Sequence, residues 1–290
     1  MQSHSIYPSE FGVSTSGLLS LSNPRILVAA HRGAWQSAPE NSITSLADAV
    51  ALGADIVELD VRSTSDEVLV LLHDATLDRT TNGKGTLSQL RYSEVKGFKL
   101  RSRDGGDGKT STFLKLPTLA GALEVARDQV VLNIDVKDPS LMNIVAQIVI
   151  AAGMADQVFI KAKIQSQSDI SMVRSSPFFG RVAFVPIIRA RSGFFAKDLQ
   201  ALEPLRSLMY EVEFTEVETL EEGGEELRRQ HARLWVNTID CSHSLDFNDH
   251  RALIDPDAVW GRLLQVGVGA IQTDHTAKLV EYLKFTGRRD

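Results

Sequence analysis

Residues 31–74 read HRGAWQSAPENSITSLADAVALGADIVELDVRSTSDEVLVLLHD. Two apolar runs stand in this stretch, one around 55–62 and one at 68–73, separated by Ser65-Asp66-Glu67. Glu58 and Asp60 sit two apart in the first run, so on a strand they share one face, opposite Val57, Leu59 and Val61. A short polar turn between two apolar runs predicts a hairpin. Centred between Asp66 and Glu67, that hairpin sets Asp60 directly opposite His73. Opposed residues share a face of the sheet, so two carboxylates and an imidazole come together there. Such a grouping suits a divalent cation beside an acid/base group.

The same parity runs outward along the chain. Strands are expected near 25–31, 55–62, 130–137, 157–163, 181–188, 208–214, 233–238 and 269–273, with 68–73 as an extra return strand. Helical patterns fill the gaps at Ser42–Leu52, Thr118–Asp128, Ser140–Ala152, Gln167–Arg174, Ala196–Ser207, Thr219–His231, Pro256–Val266 and Thr276–Thr286. Asn41, Pro117 and Pro139 are start signals, and Gly53, Gly153 and Gly267 stop signals. Eight strands alternating with eight helices predict an α/β fold, a (β/α)8 TIM barrel. The alternative is a doubly wound open sheet, but no Gly-rich turn of the dinucleotide-binding kind follows the first strand.

Five strands pair an apolar face with a more polar one. Leu132, Ile134 and Val136 oppose Asn133, Asp135 and Lys137. Ile160 and Ala162 oppose Lys161 and Lys163. Tyr210, Val212 and Phe214 oppose Glu211 and Glu213, and Leu234 and Val236 oppose Trp235 and Asn237. Helices cover the outside of a barrel, so the apolar face points out and the polar face points in, toward the mouth at the C-terminal strand ends. A solvated antiparallel sheet shows the same alternation, but the intervening helices favour the barrel. Residues 75–116 break the pattern. They are polar, rich in Gly, Lys and Arg, and long for a loop, which predicts an insertion over the mouth. Residues 1–24 are expected as an N-terminal arm on the closed end, and 25–290 as a single barrel domain.

Bulk properties narrow the function. The chain has 290 residues, 43% of them hydrophobic, and a formal net charge of −6. That charge argues against a nucleic-acid surface. The single cysteine, Cys241, excludes an internal disulfide and any cysteine-rich metal site. No run approaches the ~20 apolar residues of a membrane span. No signal peptide is evident at the N-terminus, so a cytoplasmic location is expected.

Glu58, Asp60 and Asp135 are then three inward carboxylates at neighbouring strand ends. Unpaired, they repel one another in a low-dielectric pocket. A hard divalent cation, Mg²⁺ or Ca²⁺, resolves the conflict because both take oxygen ligands. Lys137 points to the same mouth and Arg32 follows the first strand; together they suit a phosphate. His31 and His73 arrive from different strand ends and flank it. Two imidazoles around a phosphate suit phosphodiester cleavage, one taking a proton from the nucleophile and one protonating the leaving alkoxide.

With these motifs in view, the sequence resembles the glycerophosphodiester phosphodiesterases. The pattern is HRG, PEN, GAD-x-VELDV, HD, L-x-RTT-x-G-x-G, LPTLAGAL, LNIDVK, WVN and GVGAIQTD, spread over roughly residues 26–285. The resemblance implies a (β/α)8 barrel with an insertion after the histidine of the hairpin. It also implies a divalent cation and cleavage of deacylated phospholipids to glycerol 3-phosphate and an alcohol. By that likeness His31 and His73 are the acid/base pair, Glu58, Asp60 and Asp135 the metal ligands, and Arg32 and Lys137 the phosphate-binding cations. Glu40 and Asn41 match the Pro-Glu-Asn element, with Glu40 orienting Arg32 or the metal shell, and Trp235 matches a pocket aromatic.

Departures from the family pattern bear on the substrate. Ser65-Asp66-Glu67 replaces an Asp-Gly turn, and Asp135 stands where many members have Glu. Lys161 and Lys163 stand where small or hydroxyl residues are common, and with Glu213 they are candidates for contacting a second anionic or sugar-like group. The expected partner is a small-molecule phosphodiester. A sugar phosphodiester, a cyclic-phosphate product or a non-catalytic binding barrel are the alternatives. GGDGKT resembles a phosphate loop, but Arg103 stands where the first glycine belongs. His243, Asp246, Asp249 and His250 are expected to form a polar loop and no second metal site.

Overall fold

The computed structural model describes residues 13–290. In chain order the strands are β1 Leu27–Ala30, β2 Ile56–Ser63, β3 Leu69–Leu71, β4 Lys99–Arg101, β5 Ser111–Lys115, β6 Val131–Val136, β7 Val158–Lys163, β8 Ala183–Arg189, β9 Met209–Glu213, β10 Arg233–Ile239, β11 Ser242–His243 and β12 Val268–Thr273. Eight of them pair in parallel in the order β1-β12-β10-β9-β8-β7-β6-β2, and β2 closes the ring on β1. Helices such as Ile43–Ala51, Leu119–Ala126, Met142–Ala151, Gln167–Ser175 and Thr276–Phe285 lie between or after them. The expected (β/α)8 barrel is the architecture that forms.

Side-chain parity divides the barrel wall as expected. Val57, Leu59, Val61, Leu132, Ile134, Ile160, Val212 and Val236 belong to the outer core, with helix residues such as Leu46, Leu123, Val145, Leu199 and Leu279. The opposite parity faces inward. At the N-terminal end it is apolar: Leu27, Ile56, Val131, Phe159, Val185, Met209 and Trp235 fill the interior, and Phe159 meets Trp235 edge to face at 5.7 Å. Two residues further along the same strands the inward positions become Glu58, Asn133, Lys161, Ile187, Glu211 and Asn237. One parity rule thus makes a packed floor and a charged mouth.

The floor is sealed from below. The short helix Thr15–Leu19 sends Leu18 and Leu19 into the inner apolar cluster. Arg233 holds the following segment: its guanidinium donates to the carbonyls of Leu19 and Arg25 at 3.0 Å each, and also to those of Ser20 and Asn23. Burial pushes its pKa down to about 10. Residues 1–12 of the expected arm lie outside the described residues.

The hairpin needs one correction. β2 and β3 pair Val61 with Leu71, Arg62 with Val70 and Ser63 with Leu69. The register is therefore one residue short of the expected one, and Asp60 faces Leu72, whose N–H it accepts at 3.1 Å. The cause is the turn. Ser65-Asp66-Glu67 forms a three-residue loop closed by Thr64, with Glu67 in the left-handed region at φ 63° and Thr64 Oγ1 donating to Asp66 at 2.7 Å. A loop of this length ends in one left-handed residue, where the expected centring needed an even count. His73 reaches the mouth just after the strand has ended, not as the sheet partner of Asp60.

The insertion 75–116 is structured. β4 and β5 form an antiparallel pair, and Leu77, Leu87, Val95, Leu100 and Leu116 pack with Val70 and Leu72 in a core of their own. Among the described residues no helix is long and apolar enough to cross a membrane. Replacing Arg233 with Ala leaves four carbonyls without their donor and is expected to cost about 2–4 kcal/mol. A lowered urea midpoint at unchanged slope checks this; an unchanged midpoint assigns the seal to Leu18 and Leu19 alone.

Candidate active site

The loop after β1 sets the geometry. Arg32 and Gly33 both adopt left-handed backbone, φ 55° and 77°. A Cβ on Gly33 would lie 2.6 Å from the backbone carbon of Ser45, so only glycine allows this loop to press on the next helix. The turn aims the Arg32 N–H at Glu58 Oε2 at 3.0 Å. Asn41, itself left-handed, clamps Asp60 twice: its Nδ2 donates to Oδ2 at 2.7 Å, and its Oδ1 accepts the Asp60 N–H at 2.9 Å.

Glu58, Asp60 and Asp135 come together as the parity rule requires. One carboxylate oxygen from each lies within 4.8 Å of the others. Glu58 and Asp60 are 1% exposed. Burial and the charge of Asp60 push the Glu58 pKa up, whereas Lys137 and Arg32 overcome burial and hold Asp60 well below the usual carboxylate range. Lys137 Nζ bridges Asp60 Oδ1 at 2.8 Å and Asp135 Oδ2 at 2.6 Å, and Arg32 Nε lies 3.1 Å from Asp60 Oδ2. The two cations expected to meet a phosphate thus sit against the carboxylates. Asp60 Oδ1 is buried and met by the Lys137 ammonium. An all-oxygen cluster of three carboxylates fits a hard divalent cation.

His31 and His73 stand on the same cavity and differ electrically. His31 Nδ1 donates to Asp274 Oδ1 at 2.7 Å, leaving Nε2 for the cavity. Burial lowers its pKa, but the Asp274 hydrogen bond and the charges of Glu58 and Asp274 outweigh that, and the net shift is upward. His73 Nδ1 donates to Asp74 Oδ1 at 2.8 Å. Burial lowers its pKa, Arg32 and Lys137 add to that, and Asp60 and Asp74 oppose it; the net shift is downward.

A ring of ion pairs ties these groups together. Arg79 grips Asp74 through Nε and Nη2 at 2.8 Å each, and grips Glu40 at 2.7 and 3.0 Å. Glu40 also accepts from Arg32 at 3.0 and 3.2 Å. Behind His31, Trp35 Nε1 donates to Asp274 Oδ1 at 2.8 Å. Asp249, its pKa pushed up to about 7 by burial, accepts from Thr238, Thr273 and the Asp274 N–H at 2.6–2.8 Å.

His31, Arg32, Glu58, His73, Asp135, Lys137, Lys161 and Glu213 line one cavity of about 460 Å³. Glu40 is buried beside it among the arginines. Trp235 does not reach it: it is fully buried in the floor, its Nε1 donates to Asn237 Oδ1 at 2.8 Å, and Lys161 Nζ sits 5.1 Å from its ring centre. Lys161 in turn pairs with Glu211 at 2.8 Å.

Sequence reasoning assigned no role to Asp74, Arg79, Asp249 or Asp274. Asp74 follows His73 directly, and Asp274 follows the last strand, so the strand-end rule applied to every strand would have found both. Arg79 is the arginine of the L-x-RTT motif, and Asp249, expected in a polar loop, is instead buried at the start of the helix Asp249–Ala252.

A model of the glycerophosphoryl diester phosphodiesterase family matches residues 31–169, and a model described as a domain of unknown function matches residues 184–283. The chain is similar to a glycerophosphodiester phosphodiesterase of Caldanaerobacter subterraneus, 39% identical over 118 residues, which cover 39% of this chain and 46% of that protein. It is also similar to glycerophosphodiester phosphodiesterase 1 of Mus musculus, 38% identical over 120 residues, 39% of this chain and 34% of that one. The chain thus spans less than half the length of these curated relatives. Two solved structures share the fold. One is a glycerophosphoryl diester phosphodiesterase from Parabacteroides distasonis, with TM-score 0.75 and 24% identity over 95% of this chain and 92% of that one. The other is an Oleispira antarctica phosphodiesterase in complex with the product sn-glycerol-3-phosphate, with TM-score 0.66 and 20% identity over 90% and 97%.

Asp274→Asn removes the charge that raises His31 and is expected to lower the His31 pKa while leaving His73 unmoved. NMR titration of the imidazole nitrogens checks this; equal shifts in both rings would refute the separate pairing.

Proposed function

We propose that the chain, whose residues 31–169 match a model of the glycerophosphoryl diester phosphodiesterase family, is a metal-dependent phosphodiesterase. Its reaction in this reading is hydrolysis of glycerophosphodiesters to glycerol 3-phosphate and an alcohol. The observation that carries the proposal is the pair of histidines with oppositely shifted pKa values beside a three-carboxylate cluster, all on one cavity. Relatives named as glycerophosphodiester phosphodiesterases, and the product held by the Oleispira antarctica enzyme, support the same chemistry.

Glu58, Asp60 and Asp135 are the ligands in this reading, and Mg²⁺ or Ca²⁺ is the cation, since the donors are all oxygen. When bound, the cation supplies positive charge to the phosphate oxygens. Arg32 and Lys137 hold the same phosphate, Arg32 through its planar fork and Lys137 as a point charge. Asn41 fixes Asp60, and Glu40 and Arg79 fix Arg32. His73, kept neutral by its lowered pKa, takes the proton from the attacking oxygen. His31, kept protonated by Asp274, gives a proton to the leaving alkoxide. Lys161 and Glu213 contact the substrate further along the cavity, and Trp235 supports Lys161 from the floor. The domain reading is one barrel over 25–290 with the insertion 75–116. A cytoplasmic setting belongs to the same proposal.

The test is turnover of glycerophosphodiesters with and without chelator, with the products identified by ³¹P NMR. Glycerol 3-phosphate formation that EDTA abolishes is expected, and turnover untouched by chelator would sink the metal assignment. His31→Ala and His73→Ala are each expected to lower the rate ~10²–10⁴-fold. The pH–rate profile is expected to be bell-shaped. Activity requires neutral His73, so the acid limb falls below the ordinary imidazole value of 6.5. It also requires protonated His31, so the alkaline limb falls above it. Asp274→Asn should bring the alkaline limb down and leave the acid limb in place.

A further inference from the structure

We propose that the catalytic cavity opens into a subsite for an alcohol substituent that carries a second anionic group, a carboxylate or a phosphate. The inference rests on the phosphodiesterase reading and names the substrate class within it. A second cavity of about 640 Å³ adjoins the first and shares Lys163, Ile187 and Glu213 with it. Together the two are much larger than a glycerol moiety needs.

The shared wall carries an unequal charge count. Lys163 ends β7, Arg189 ends β8 and Glu213 ends β9, and these three strands are neighbours in the barrel. Lys163 Nζ lies 3.0 Å from Glu213 Oε1, and Arg189 Nε lies 4.0 Å from Oε2 of the same carboxylate. Two cations therefore share one anion. Arg191, on the same cavity, is engaged by Asp198 at 2.8 Å and adds no excess. Lys163 and Arg189 are 62% and 65% exposed, so their pairing with Glu213 is weak and easily exchanged for a ligand anion. Gln165 and Ser166 add amide and hydroxyl groups to the same wall.

The opposite ligand charge finds little matching surface in these two cavities; Phe214 lines a third, which adjoins Arg189 and Glu213. A quaternary ammonium group is recognised by open aromatic faces. Among the described residues no Phe, Tyr or Trp lines either cavity. Trp235, beneath them, is fully buried and already has Lys161 against its ring. Within these two cavities the geometry thus selects for negative charge over a choline-like group.

The experiment compares the purified chain, supplied with Mg²⁺ or Ca²⁺, on three diesters: glycerophosphocholine, glycerophosphoglycerol and glycerophosphoinositol 4-phosphate. The KM for the phosphate-bearing diester is expected to be about three- to tenfold below that for glycerophosphocholine, the difference shrinking as salt is raised. Lys163→Glu with Arg189→Glu is expected to abolish that difference by raising the KM for the phosphate-bearing diester. Equal KM values across the panel, or a preference for the choline ester that the double variant leaves untouched, overturn the subsite while the phosphodiesterase reading stands. Turnover of none of the three overturns that reading and the subsite with it.

Discussion

Three carboxylates held at the ends of two adjacent strands are an electrostatic problem that the rest of the mouth answers. Glu58 and Asp60 are almost completely buried, and Asp135 pairs with Asp60 across the β2–β6 ladder. Buried like charges at that spacing either take up protons or gather counter-charge. The structure shows both responses: Glu58 moves toward protonation, and Asp60 stays ionised by drawing in Lys137 and Arg32. A divalent cation is a third response, which would leave Lys137 and Arg32 available to a phosphate.

The neighbouring groups follow from that centre. Arg32 is anchored by Glu40, Glu40 by Arg79, and Arg79 by Asp74, which orients His73. The insertion that delivers Arg79 therefore helps to hold one histidine. The other histidine is held from the neighbouring strand β12, beyond which Asp249 fixes Asp274 and Asp274 fixes His31. Each imidazole has its own carboxylate, yet their pKa values part. His31 is buried beside Glu58 and Asp274, while His73 is partly exposed and feels both Arg32 and Lys137.

Much of this was legible in the chain because a barrel strand obeys a period of two. The alternation in VELDV, LNIDVK and FIKAK is enough to place Glu58, Asp60, Asp135, Lys137 and Lys161 on the inner face. The same rule puts Trp235 inside, but it does not say at what height. Trp235 lies two residues below the level at which side chains become polar, and so it packs in the floor rather than in the pocket. The hairpin register was misplaced by one residue because it depends on the backbone of Ser65-Asp66-Glu67. A left-handed Glu67 decided that, and no hydrophobic pattern encodes it.

The sequence by itself determined the barrel, the inward set of carboxylates and lysines, and the two histidines at strand ends, since all of these follow from periodicity and order along the chain. Only the tertiary structure decided which charge neutralises which. It placed Lys137 on two carboxylates, gave each histidine its own aspartate, and set Lys163 and Arg189 against one glutamate. Such pairings join residues up to 243 positions apart. They are fixed by the closure of the ring and by distances of about 3 Å, and a one-dimensional pattern carries neither.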